Sequence, residues 1–278
     1  MSVPATSPTH PATRSPFLAN ILCAVDGTRA SAAAVRMAAA LAGAEGRLTL
    51  LAVPAAVGSG PYATAAISPA RVGHVMARAQ RIAADAGVHA ETEIDPGHPP
   101  VKVILRRAVE FDLLVIGAPS TSWFGGLLIG GVAAASLSRF RTPILLVRPS
   151  YRGAIEGRRI LVASDGADGS DQIVEFAATL AASCDAEVSL VHALGPEAGM
   201  HPHRIAAQIS SLAAAARSAA PWIEPGRPWA VVANAARAQD AAIVVIGSRQ
   251  LGGLRAFGSV SRRVVHGAPC SVLLLPPP

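Results

Sequence analysis

Apolar runs of strand length alternate along this chain with longer Ala-rich stretches of helical length. The pattern predicts strands near 20–25, 48–53, 89–94, 113–117 and 144–148, and helices near 30–43, 70–87, 100–110 and 131–140 between them. Further strands are predicted near 159–164, 187–193, 221–224, 242–247 and 271–275. The runs read as continuously apolar, as expected when helices cover both faces of a sheet, so the sheet should be mainly parallel. The expectation is a doubly wound α/β architecture.

That architecture occurs twice. The stretch NILCAVDG from Asn20 recurs as RILVASDG from Arg159, which sets Asp26-Gly27 against Asp165-Gly166 at an offset of 139. Later landmarks keep a shorter offset: Asp95-Pro96-Gly97 answers Glu224-Pro225-Gly226 at 129, and Val115-Ile116-Gly117 answers Val245-Ile246-Gly247 at 130. One deletion between Leu194 and Pro221 explains the difference. The chain therefore reads as a leader (1–17), a first domain (18–148), a linker (149–158) and a second domain (159–278), each domain a five-stranded sheet with helices on both faces.

Composition narrows the class. The 278 residues are 51% hydrophobic and 15% charged, with a mean hydropathy of +0.41, which excludes disorder for the bulk of the chain. Residues 113–138 carry no charge and are long enough to span a bilayer, yet Pro119, five glycines and Ser120-Thr121-Ser122 interrupt them. A buried strand, a glycine-rich loop and a small-residue helix fit that stretch better than a membrane span. The leader has Pro, Ser and Thr where a secretory signal needs an apolar core, and reads as disordered. Cys23, Cys184 and Cys270 are far apart and lack metal-ligand spacing, so they read as small buried hydrophobes of a cytoplasmic protein. The net charge of +6 is concentrated locally: Arg139, Arg141, Arg148, Arg152, Arg158 and Arg159 stand against Glu156 alone. Without interleaved aromatics this reads as a solvated linker pairing with acidic faces, not as a nucleic-acid surface.

Ligands of an open parallel sheet bind beyond the carboxyl ends of its strands, where strand order reverses. Asp26 ends the first strand and Gly117 the fourth, so both face one crevice if those strands are neighbours. Glycines in the loop that follows, and Gly130-Gly131 at the start of the next helix, would let backbone N–H groups reach phosphate oxygens. The same residues also serve a purely structural reading, in which Asp26 caps the first helix.

These residues carry a resemblance. The duplicated Asp-Gly, and the closing stretch from Ile246-Gly-Ser through Gly258-Ser259 to His266-Gly-Ala-Pro-Cys270, are similar to the universal stress protein family in its tandem form, over nearly everything after residue 18. The resemblance implies an adenine-nucleotide alpha-hydrolase-like fold. Nucleotide-binding members carry an Asp at the end of the first strand, then G-x-x-G, nine residues and G-[ST] after the fourth. By resemblance Asp26 would contact the ribose or adenine end, the main chain around Val53 would border the base, and Gly117, Gly130 and Gly131 would line the phosphates of ATP, with Mg²⁺ accompanying it.

Both copies depart from that motif. The first has Gly117-Ala-Pro-Ser120, nine residues and Gly130-Gly131, so its spacing is kept while Ser120 replaces a glycine and Gly131 a hydroxyl. The second has Gly247-Ser-Arg-Gln250, seven residues and Gly258-Ser259, with Asp165 in place of Asp26. Its shorter loop moves strand end and helix start relative to each other, so the first domain is the better candidate. No Walker-type lysine, nucleophile elbow or metal-ligand cluster accompanies either copy, and no dedicated general base is evident. His201 and His203, a Pro-separated pair, read as exposed loop residues.

Three expectations follow: a stress-response binding module sensing ATP, a nucleotide-independent interaction protein with vestigial sites, and, last, a slow ATPase. The family's members commonly dimerise through the last strand, which implies an intramolecular pseudo-dimer between Pro143–Val147 and Ser271–Leu275, with a homodimer of chains as a further state.

Overall fold

The computed structural model describes residues 18–54, 67–96, 100–118, 140–151, 155–195, 201–248 and 259–277. Its first half runs β1 (Asn20–Val25), α1 (Arg29–Ala42), β2 (Arg47–Ala52), α2 (Pro69–Asp85), β3 (Ala90–Ile94), α3 (Pro100–Ala108), β4 (Leu113–Gly117) and β5 (Ile144–Val147). The second runs β6 (Arg159–Ala163), α4 (Ser170–Ser183), β7 (Glu187–Leu194), α5 (Pro202–Ala215), β8 (Trp222–Pro225), α6 (Pro228–Ala238), β9 (Ala241–Gly247), α7 (Ser259–Gly267) and β10 (Ser271–Leu275). Every expected strand is present to within a residue at either end. The leader and residues 131–139 of the expected fourth helix lie outside the described residues. No described helix is long and apolar enough to cross a membrane, and the uncharged window 113–138 begins as strand β4.

The strands form one sheet of ten in the order β3-β2-β1-β4-β5-β10-β9-β6-β7-β8. All neighbours are parallel except β5 and β10, which pair antiparallel with Val272 opposite Leu146 and Leu274 opposite Ile144. Read outward from that seam, each half has the same order. Side chains alternate between two apolar layers: Ile21, Cys23 and Val25 of β1 pack with α1, α2, α4 and α5, while Leu22 and Ala24 pack with the layer of α3, α6 and α7. α1 turns Ala33, Ala34, Met37 and Ala38 to the sheet, all buried, and such small side chains let helix and sheet approach closely.

Two strands differ from the continuously apolar reading. β3 exposes Glu91, Thr92 and Ile94, and β8 is half-exposed along its length. They are the two edges of the sheet, where polar groups discourage further strand pairing and where a helix covers less of each face.

The arginine cluster also differs from a solvated linker. Arg148 is buried, and its guanidinium donates to the carbonyl oxygens of Val265 and Ala268 at the end of α7, the latter at 3.4 Å. Arg158 meets Asp240 at 3.3 Å and Arg159 meets Glu187 at 2.5 Å, while Arg141 is exposed. Among the described members Arg148 crosses the seam, because β5 ends beside the start of β10, while Arg158 and Arg159 pair with acidic groups of the second half, as the sequence leads one to expect. Arg139 and Arg152 lie outside the described residues.

The Arg159–Glu187 pair has a pH consequence. Its hydrogen bond and charge hold Glu187 below the usual carboxylate range. A depressed carboxylate stabilises above its unfolded pKa, and the contribution is lost as pH falls through the lower folded value. With both side chains about a third exposed, solvent screening limits the pair to about 1 kcal/mol. Glu187→Gln is expected to lower the unfolding free energy read from urea denaturation near neutral pH by that amount and to match wild type below about pH 3; equal stabilities at neutral pH would count against the pairing.

Candidate functional site

Strand β1 lies between β2 and β4, with Ala24 opposite Ile116, so strand order reverses beside β1 in the first half. The carboxyl ends of β1 and β4 therefore share one crevice. After Val25 the chain turns at Gly27, whose φ of +82° lies in the left-handed region and whose Cα faces Val75 of α2; a Cβ there would meet that side chain at 2.8 Å. Thr28 caps α1, its hydroxyl accepting the Ser31 N–H at 3.1 Å. Asp26 is not the cap. Its Oδ1 accepts the Thr28 N–H at 2.9 Å and its own N–H donates to the Ser31 hydroxyl at 3.2 Å, an arrangement that fixes the turn and leaves Oδ2 without a partner among the described residues.

Gly117 stands against the first turn of α1. A Cβ on it would lie 2.3 Å from the Ala30 carbonyl carbon and 2.4 Å from the Ser31 nitrogen. Asp26 and Gly117 thus border the same helix start, as the sequence leads one to expect, and Gly117 has a packing role independent of any ligand. Val53 follows β2 and is buried with its side chain in the α3 layer, while Ile67 and Val75 belong to the α1 layer. Among the described residues, Val53, Ile67 and Val75 give this side of the crevice an apolar surface. Gly130 and Gly131 lie outside the described residues.

The second crevice has the same frame and a different lining. Asp165 accepts from the Ala167 N–H at 2.9 Å and from the Ser170 hydroxyl at 2.6 Å on one oxygen. Ser164, where the first half has Val25, accepts the Gly166 N–H at 3.1 Å and donates to Gln208 Oε1 at 2.6 Å. Gln208 donates onward to Asp171 at 2.6 Å. His192, where the first half has Ala52, places Nδ1 at 2.9 Å from the Ser164 carbonyl oxygen; only Nδ1–H can donate to it, which sets the ring's proton. Arg204 pairs with Asp168 and, at 3.8 Å, with Asp171. Ser164, His192 and Gln208 are all buried.

This network was legible only by reading the repeat position by position. Gln208 is the seventh residue of α5 as Val75 is of α2, so valine, alanine and valine at 25, 52 and 75 become serine, histidine and glutamine. The deletion contributes: α5 follows β7 after residues 195–201, whereas residues 53–68 separate β2 from α2. A shorter connection draws the helix start in, and a Cβ on Gly166 would meet His201 at 3.1 Å.

At the far wall of this crevice, Ser261 in the first turn of α7 donates to the Gly247 carbonyl at 3.0 Å, which ties the helix start to the end of β9. A Cβ on Gly247 would lie 2.2 Å from Ile173 Cδ1. Ser259 is the first residue of α7, and Gly258 lies outside the described residues. His201 immediately precedes α5 and His203 lies in its first turn, and no group of three or more His, Cys, Asp or Glu residues among the described residues is placed to hold a metal ion.

A mostly parallel sheet wound in both directions, with a crevice at each reversal, defines a tandem doubly wound α/β protein. The sequence pattern of the Universal stress protein family matches residues 18–148 and 157–276, and the chain belongs to that family. Among solved structures, a universal stress protein from Archaeoglobus fulgidus is similar over 94% of this chain and 99% of its own, with 19% identity and a TM-score of 0.72. A putative universal stress protein from Pseudomonas aeruginosa is similar over 94% of both chains, with 18% identity and a TM-score of 0.65. A universal stress protein in complex with cAMP covers 42% of this chain and 95% of its own, with 22% identity and a TM-score of 0.38. No curated protein sequence matches the chain.

Proposed function

We propose that this protein is a cytoplasmic stress-response binding module whose first domain holds an adenine nucleotide, ATP with Mg²⁺, and whose second domain does not. The carrying observation is the contrast between two carboxylates at equivalent positions. Asp26 spends one oxygen on its own turn and keeps Oδ2 for a ligand hydroxyl, over an apolar lining suited to a base. Asp165 is engaged by Ser170, and the space beside it is bridged by Ser164, Gln208 and Asp171. A nucleotide entering there would have to break hydrogen bonds that are already satisfied, at a cost of about 1 kcal/mol or more each.

Binding would act by favouring one arrangement of the first domain, and so of the surface beside the site, without turnover. The antiparallel pairing of β5 with β10 supports a pseudo-dimer within one chain, which would transmit that change across the seam. The free cysteines are in keeping with a reducing compartment.

Isothermal titration with ATP and Mg²⁺ tests the reading. Wild type and Asp165→Ala are expected to bind, and Asp26→Ala to bind about tenfold to a hundredfold more weakly, as for loss of one hydrogen bond to a charged group. Absence of heat with wild type at hundreds of micromolar, or equal loss in the two variants, would sink it. Phosphate release is expected to stay at the uncatalysed level.

A further inference from the structure

The two halves treat one arginine differently. In the first half Arg107, second from the end of α3, is held by Glu93 through two parallel hydrogen bonds of 2.8 Å each and by Glu110 at 2.5 Å. Arg237 is likewise second from the end of α6. The strand registers, with Leu51 beside Glu93 and Val191 beside Trp222, put a tryptophan where the first half has that carboxylate. Arg237 is left with Asn234 Oδ1 at 3.3 Å. The acid that remains at this edge, Glu224, accepts the Trp222 indole N–H at 2.8 Å.

The uncompensated charge extends over the outer face of α6 and α7, which pack side by side on the sheet. Neither helix has an acidic residue. Arg227, Arg237, Arg262 and Arg263 are all exposed, and none of them forms an ion pair among the described residues. Partial burial, and then the charges of Arg262 and Arg148, hold His266 of α7 below the ordinary imidazole range, in keeping with a positive field there. Guanidinium forks match carboxylates, so the face is complementary to an acidic partner.

Its size and surroundings narrow the occupant. At 1.5 Å per residue the helices, of 11 and 9 residues, measure about 16 and 14 Å, and packed helices lie roughly 10 Å apart. That area is well under the ~800 Å² each partner contributes to a globular complex, so a short segment fits it better than a folded domain. Within the 278 residues, the stretches outside the described ones hold a single acidic side chain, Glu197. A second copy is no better a source, since surface acids such as Glu93, Asp95, Asp168 and Asp185 already pair with arginines. Nucleic acid also fits less well. Trp222 is committed to Glu224, and Trp229 has the Arg263 guanidinium over its ring at 5.8 Å and its N–H buried, so neither is a free platform for a base. Val260 of α7 is exposed and offers an apolar contact instead.

We infer that the outer face of α6 and α7 docks a short acidic segment of a partner protein, its carboxylates paired by Arg227, Arg237, Arg262 and Arg263 and its apolar side chains meeting Val260. This goes beyond the nucleotide reading and does not depend on it.

Fluorescence anisotropy with the full chain and a labelled glutamate-rich peptide carrying scattered leucines tests the proposal, with a labelled oligothymidylate of equal charge as the competing class. Wild type is expected to bind the peptide at about 10–100 μM in low salt and severalfold more weakly once salt screens the charges. Arg237→Glu/Arg262→Glu should weaken peptide binding about tenfold or more, because two attractions become repulsions. Arg78→Glu/Arg81→Glu makes the same charge change at exposed positions of α2 and should stay within about twofold of wild type. All four arginines are exposed, so both variants are expected to fold, which their unfolding midpoints check. The milder Arg237→Gln should lose about threefold. No peptide binding in low salt, an oligothymidylate bound as tightly as the peptide, equal losses in the two double variants, or undiminished binding by Arg237→Gln would overturn the proposal.

Discussion

Gly117→Ala is expected to destabilise the protein by about 3 kcal/mol or more, a fall of roughly 6–12 °C in unfolding midpoint for a chain of this size. The methyl would collide with backbone. Its nearest neighbours would be the Ala30 carbonyl carbon at 2.3 Å, the Ser31 nitrogen at 2.4 Å and the Ala30 oxygen at 2.5 Å. That turn cannot give way cheaply, because the Thr28 cap and the bond from the Asp26 N–H to the Ser31 hydroxyl hold it, and α1 is packed against the sheet along its length. Gly247→Ala is the control. There the first atoms met are Ile173 Cδ1 at 2.2 Å and Cγ1 at 3.3 Å, the far end of a side chain that can rotate, so about 1 kcal/mol is expected. Urea denaturation of the two variants reads the difference directly. Equal losses would mean that the helix start in the first half yields as easily as a side chain. The result also bears on function: weaker nucleotide binding by Gly117→Ala reports a displaced helix before it reports a lost phosphate contact.

Arg148→Ala should cost about 2–3 kcal/mol. α7 ends at Gly267, and the residue that would donate to the Val265 carbonyl is Pro269, which has no N–H. The carbonyls of Val265 and Ala268 belong to buried residues at the negative end of the helix, and the Arg148 guanidinium supplies their donors from across the β5–β10 seam. Each hydrogen bond from a charged donor contributes about 1.5–3 kcal/mol, offset in part by the cost of burying the guanidinium, which pulls its pKa down. Arg148→Met separates the two effects, since it restores apolar volume without a donor. It is expected to recover less than half of the loss in the same urea experiment. A methionine variant as stable as wild type would show that the carbonyls find other donors.

How much of this was legible beforehand depended on the range of the interaction involved. The period of apolar residues placed β1, β4 and β9 because burial on both faces leaves a local trace in five or six consecutive positions. The same rule misread β3 and β8, since whether a strand lies at the edge is set by its neighbours and not by its own residues. The repeat of Asp-Gly located both crevices, and the spacing to Gly117 and Gly247 located their far walls. What fills the crevices was less accessible. Ser164, His192 and Gln208 are unremarkable one at a time and form a network only because β6, β7 and α5 bring them together.

The sequence by itself determined the class of fold, its duplication, the positions of its strands and the two carboxylates at the strand ends. Each of these follows from short-range periodicity or from comparing the chain with itself. Only the tertiary structure decided that Asp165 accepts a side-chain hydrogen bond from Ser170 while Asp26 accepts only from its own turn, that Gly117 is demanded by a helix backbone, and that Arg148 is buried at the joint between two halves. Those outcomes depend on contacts between residues far apart in the chain, and the burial of a charge or the satisfaction of a hydrogen bond is settled by the partner that folding delivers.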